Sequence, residues 1–112
     1  MSRSSTTIER ALKGRDMTLM KNPSHPGEVL KELYLDPLGL SPIALAKRLH
    51  VPRTRIERLV KGETALTVDT AIRLAKFFRT TPEYWMNLQR AWDLARARET
   101  IDVSAITPLE AA

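Results

Sequence analysis

The stretch Leu40-Ser-Pro-Ile-Ala-Leu-Ala-Lys-Arg-Leu-His-Val-Pro-Arg-Thr-Arg-Ile-Glu-Arg-Leu-Val-Lys-Gly62 decides how the chain folds. It reads as two short helices joined by a tight turn. Ser41 is a helix-capping residue, and Pro42 suits the first helical turn, where a missing N–H costs nothing. Leu40 and Leu45 occupy the two positions of a hydrophobic staple. Leu45, Ala46 and Leu49 then share one face. His50-Val51-Pro52 interrupts the helix, because a proline disfavours helical geometry in the residue before it. In the second helix Ile56, Leu59 and Val60 point inward, and Gly62 is a natural stop. The opposite face carries Arg53, Thr54, Arg55, Arg58 and Lys61. Ala46 is small where the second helix must cross the first closely. This is the pattern of a helix-turn-helix whose second helix enters the major groove of DNA.

The charge distribution agrees with that assignment. The 112-residue chain has 18 basic and 13 acidic residues, for a net charge of +5. Between Lys47 and Lys61 there are six basic residues (Lys47, Arg48, Arg53, Arg55, Arg58, Lys61) and one acidic residue, Glu57. A cationic helix face of this kind suits a polyanionic partner. Arg53, Thr54, Arg55 and Arg58 are the candidate base-reading residues, since Arg pairs bidentately with guanine and Thr contacts bases or a thymine methyl. Ser41, Lys47 and Lys61 are better placed for phosphates, which position a protein without reading sequence. Glu57 is expected to orient Arg53 or Arg58 through a local ion pair.

Outward from this core, residues 1–22 are polar and form an expected flexible arm, with a short helical stretch over Thr7–Lys13 ended by Gly14. Met20 offers a second start, M-K-N-P-S-H-P-G-E. The first helix begins at Pro26, with Val29, Leu30, Leu33 and Tyr34 on its apolar face, and Asp36-Pro37 is expected to stop it. A fourth helix is capped by Thr67, with Val68, Ala71, Ile72, Ala75 and Phe78 as its apolar stripe. Thr81-Pro82-Glu83 repeats the start signal of the second helix and opens a fifth, running to about Glu99. Trp85, Leu88 and Trp92 share one face of that helix and are candidates for a dimer interface as well as for the core. Residues 100–112 form an irregular tail. With no strand alternation anywhere, the expectation is an all-α domain over residues 23–99, five helices in a lambda-repressor-like arrangement.

Several classes are excluded or disfavoured. There is no cysteine, hence no disulfide and no thiolate metal site. No apolar run approaches the ~20 residues that span a bilayer, and no secretory leader is visible. No phosphate loop, His-Glu-x-x-His or serine-nucleophile motif occurs. His25 and His50 read as turn or helix-edge residues. The reading is of a cytoplasmic, non-enzymatic DNA-binding protein with no cofactor and no metal.

Five segments together resemble one known family: H-P-G-E-V-L at 25–30, A-L-A-K-R-L-H-V at 44–51, R-I-E-R-L-V-K-G at 55–62, L-T-V-D-T-A-I-R-L-A-K at 66–76 and P-E-Y-W-M-N-L-Q at 82–89. They are similar to the HigA-type antitoxins of the Cro/C1-type repressor superfamily. The resemblance covers about residues 22–99, and its most specific part is T-A-I-R-L-A-K-F-F-R-T-T-P-E-Y-W-M-N-L-Q. It implies operator binding in the protein's own promoter and neutralisation of a small basic ribonuclease toxin of the HigB type, encoded next door, which cleaves messenger RNA on the ribosome. It carries the base-contacting role to Arg53, Thr54, Arg55 and Arg58, and a homodimer contact to the aromatic part of the fifth helix. Two positions depart from the superfamily pattern. His50 stands where the turn often has Gly, and Pro52 where a Ser or Thr usually caps the recognition helix. Two other functions fit the residues: a stand-alone phage-like repressor, and a protein-interaction module that only sequesters a toxin.

Overall fold

The structure, a computed structural model, describes residues 22–110. The expected arm, with its Thr7–Lys13 helical stretch, lies outside the described residues except for Asn22. Among the described residues there are five helical runs and no strand.

The first run, α1, is unbroken but not uniform. It is α-helical over Pro26–Val29, π-helical over Leu30–Leu35 and α-helical again over Asp36–Leu38. The expectation that Asp36-Pro37 ends this helix is therefore corrected: Gly39, in the left-handed region at φ 62°, ends it. Inside a regular α-helix the Pro37 ring would crowd the carbonyl four positions back. The wider turn, in which the Asp36 N–H reaches back to the Lys31 carbonyl, avoids that approach. The same widening changes the buried face. Val29, Leu30, Tyr34 and Leu35 are buried, while Leu33 is only half-buried.

The central pair follows its local signals. In α2 (Pro42–Leu49) the Ser41 hydroxyl accepts from the Ala44 N–H at 3.1 Å. His50 takes the left-handed conformation at φ 59°, and the Val51 N–H closes onto the Ala46 carbonyl at 3.1 Å. In α3 (Arg53–Val60) Pro52 supplies no side-chain cap. Gly62, at φ 74°, ends it, with the Glu63 N–H on the Arg58 carbonyl at 3.0 Å. A left-handed non-glycine residue costs roughly 1–2 kcal/mol, and glycine's extra unfolded-state freedom returns about half of that. His50→Gly is accordingly expected to stabilise the domain by about 0.5–1 kcal/mol, read as a higher urea midpoint at unchanged slope.

In α4 (Val68–Phe78) the Thr67 hydroxyl caps the Thr70 N–H at 3.3 Å. Its inward face is Thr70, Ala71, Leu74 and Ala75; Val68 and Ile72 are more than half exposed, contrary to the expected stripe. Its apolar arc, from Phe77 round to Ile72 and opposite Asp69, Arg73 and Lys76, is wider than the core covers, and Val68 and Ile72 lie at its uncovered edge. A second left-handed non-glycine residue, Arg79 at φ 58°, ends it. The last helix, α5 (Pro82–Thr100), starts from Thr81, whose hydroxyl accepts from the Tyr84 N–H at 3.1 Å.

Trp85 is fully buried, with ring centroids 5.1 Å from Tyr34 and 6.2 Å from Phe78. Its indole N–H donates to the Thr80 hydroxyl at 2.7 Å. Leu88 is buried beside it in the same core as Leu30, Leu35, Leu45, Ile56 and Leu74. Two of the three residues expected at a dimer interface, Trp85 and Leu88, are thus spent on the protomer's own core. Gln89, also buried, accepts from the Leu66 N–H at 2.7 Å and so fixes the loop between α3 and α4. Residues 101–110 follow without helix or strand, and all are exposed. No helix among the described residues is long and apolar enough to cross a membrane.

Candidate nucleic-acid interface

Helix α3 is packed from behind by α2 and by the start of α1. Ile56 and Leu59 are almost completely buried against the core. The start of α1 abuts its end so closely that a Cβ on Gly27 would lie 1.7 Å from the Leu59 carbonyl oxygen. His25 holds that junction: its Nδ1 accepts from the Gly27 N–H at 2.9 Å, and its ring meets Trp92 edge-on at 5.1 Å. Burial lowers the His25 pKa from its ordinary value, against the opposing pull of a hydrogen bond with the Thr64 backbone and the charges of Asp93 and Glu28. The unfolded chain therefore binds a proton that the fold resists, and stability rises with pH in that window. It is expected to be fully present above about pH 6.5 and to fall as the pH drops through the folded pKa. His25→Asn, which keeps a capping acceptor, should flatten the dependence of the thermal midpoint over this range.

The open side of α3 presents Arg53, Thr54, Glu57, Arg58 and Lys61, residues that fall on one helical face. Arg53 pairs with Glu57 at 3.7 Å, the local ion pair expected for that acid. Both groups reach solvent, so the pair orients more than it stabilises. Arg58 and Thr54 are exposed, and Arg58 has no ion pair among the described residues. Lys61 lies exposed just beyond the C-terminal end of α3, and Lys47 is exposed on α2. Ser41 is exposed as well; its oxygen is used for the cap, which leaves the O–H as a donor.

Arg55 stands apart from the other candidate readers. Its guanidinium pairs with Asp69 of α4, whose carboxylate also takes the Arg73 Nε at 3.0 Å. Arg73 in turn donates to the Leu49 carbonyl at 2.8 Å, at the end of α2. The Arg55 and then the Arg73 hydrogen bonds hold the Asp69 carboxyl below the usual carboxylate range. Arg55 thus lies exposed on the seam between α3 and α4, and its pair with Asp69 ties α3 to α4. The Asp69–Arg73 spacing of four is the local sign of a clamp in the sequence. Arg48 leans over the Phe77 ring at 5.3 Å. Among the described residues no three His, Asp or Glu side chains come together as a metal site.

Comparison with known proteins gives the family of this fold. The helix-turn-helix family matches residues 30–85. Virulence-associated protein I of Dichelobacter nodosus is 45% identical over 86 residues, covering 76% of this chain and 80% of that protein. Antitoxin HigA-1 of Vibrio cholerae is 37% identical over 91 residues, covering 80% of this chain and 86% of the relative. The Pseudomonas aeruginosa antitoxin HigA, solved with the higBA promoter, superposes with a TM-score of 0.72 at 35% identity, covering 80% of this chain and all of that one. The chain belongs to the Cro/C1-type helix-turn-helix family and, within it, to the HigA-type antitoxins.

Proposed function

We propose that this protein is a cytoplasmic antitoxin and autorepressor. It lays α3 in the major groove of an operator in its own promoter, as a homodimer, and neutralises a HigB-type ribonuclease toxin. It acts by binding, not by catalysis. The observation that carries the DNA-binding reading is the open face of α3: Arg53, Thr54 and Arg58 project from a helix packed on α1 and α2 and paired to α4 through Arg55 and Asp69. The relatives support it, since one is a HigA antitoxin solved with promoter DNA. Ser41, Lys47 and Lys61 flank that face as phosphate contacts. Arg55 acts as a positioning residue through Asp69. Trp92, half-buried on α5 under the Arg96 guanidinium at 4.6 Å, remains the aromatic residue available to a second copy.

Binding to the promoter, measured by fluorescence anisotropy across a salt series, tests the proposal. Arg58→Ala should cost about 1–3 kcal/mol on the operator and little on unrelated DNA. Lys61→Ala should weaken binding to every sequence and reduce the salt slope by about 1. Arg55→Ala should lower operator affinity together with thermal stability. Unaltered DNA mobility at low salt would sink the repressor reading, and free toxin activity in the presence of excess protein would sink the antitoxin reading.

A further inference from the structure

The C-terminal segment and the outer face of α4 form a complementary pair. Ile101, Val103, Ile106 and Leu109 are each more than half exposed. Their segment carries Asp102 and Glu110 and no basic residue. It also has a defined shape: the Asp102 carboxylate accepts from the Ser104 N–H at 2.9 Å, and the Ile106 N–H donates to the Val103 carbonyl at 2.9 Å. At the other end of α5 lies a shallow groove lined by Ile72, Phe77 and Pro82, with Lys76 and Arg79 on its rim. Ile72 and its neighbour Val68 are more than half exposed, and neither Lys76 nor Arg79 is ion-paired among the described residues. An acidic apolar segment and a basic apolar groove thus occur on one chain.

They sit apart. The 19 residues of α5 make a rod about 28 Å long, with the groove at its Pro82 end and the segment rooted at its Thr100 end. The turns at 102–106 shorten the segment further, so it does not reach back along its own helix. A two-fold axis across antiparallel α5 helices would bring each segment beside the other copy's groove, and the half-buried Ala91 and Ala95 beside the exposed Leu94 leave room for such an approach. We propose that in the homodimer each Ile101–Leu109 segment seats in the partner copy's α4 groove, apolar side chains against Ile72, Phe77 and Pro82, acids toward Lys76 and Arg79. This rests on the homodimer reading above.

The chain lacks cysteine, so engineered thiols report cleanly. Full-length Ile106→Cys and Ile72→Cys, carrying tags of different size, are mixed and mildly oxidised, and a doubly substituted chain is run alongside. The expected product is the mixed 72–106 crosslink between copies, in excess over 72–72 and 106–106. Ile106→Asp, on an exposed residue that cannot unfold the core, should raise the dimer dissociation constant about tenfold or more. A dimer by sedimentation equilibrium with no mixed crosslink, a crosslink only within the doubly substituted chain, or an unchanged dissociation constant for Ile106→Asp would each overturn the exchange and leave the homodimer standing. A monomer at all concentrations would overturn the homodimer reading itself.

Discussion

Trp85→Ala is expected to remove about 3–5 kcal/mol of stability, enough to leave the domain largely unfolded at 37 °C. Trp85 has no exposed surface and packs on Tyr34, Phe78 and Tyr84. Truncation empties the space where α1, α4 and α5 meet and strips the Thr80 hydroxyl of its indole donor. A domain this small holds only about 5–10 kcal/mol in total, so the loss takes most of the margin. Urea unfolding followed by circular dichroism measures it, and Trp85→Phe, which keeps most of the ring, should cost less than half as much. The same experiment separates core from interface. An interface residue would shift the solution mass while leaving the protomer's helicity intact, whereas Trp85→Ala should lose helicity first.

Gly27→Ala should be nearly as damaging, although propensity alone argues the other way. In a helix Ala is favoured over Gly by about 1 kcal/mol. Here the added Cβ would fall 1.7 Å from the Leu59 carbonyl oxygen and 2.6 Å from its carbon. Those are backbone atoms and cannot turn aside, so α1 must lift away from α3. Overpacking of this kind costs up to about 3 kcal/mol or more, which outweighs the propensity gain. The expected outcome is a fall of about 10 °C in the thermal midpoint with a parallel loss of operator affinity. A rise in the midpoint would mean that the two helices are not in contact as described.

The parts of the fold that were legible in the sequence are those set by neighbours in the chain. Ser41-Pro42, Thr67 and Thr81-Pro82 cap their helices, Gly62 ends α3, and His50 accepts the left-handed turn where a glycine is usual. The parts that were not legible depend on residues far apart. Nothing near Arg55 announces that its partner is Asp69 on another helix. Trp85 and Trp92 look alike on a helical wheel; which is core depends on Tyr34 and Phe78 for one and on His25 for the other. In α4 and α1 the face was misjudged for separate reasons. One helix has an apolar arc wider than the core covers, and the other does not keep a period of 3.6.

That irregular winding of α1 reaches beyond its own packing. A helix that carries one residue more than its turns require must store the surplus, and Leu30–Leu35 stores it. Val29 anchors the half before this turn, and Leu30, Tyr34 and Leu35 anchor the turn itself. Wound as a regular α-helix, the same residues would instead turn everything from Asp36 onward by about 100° around the axis. The chain would then leave Gly39 in a different direction and deliver α2, and behind it α3, at a different angle. The aim of the reading helix is therefore set partly by the winding of a helix that carries none of the reading residues.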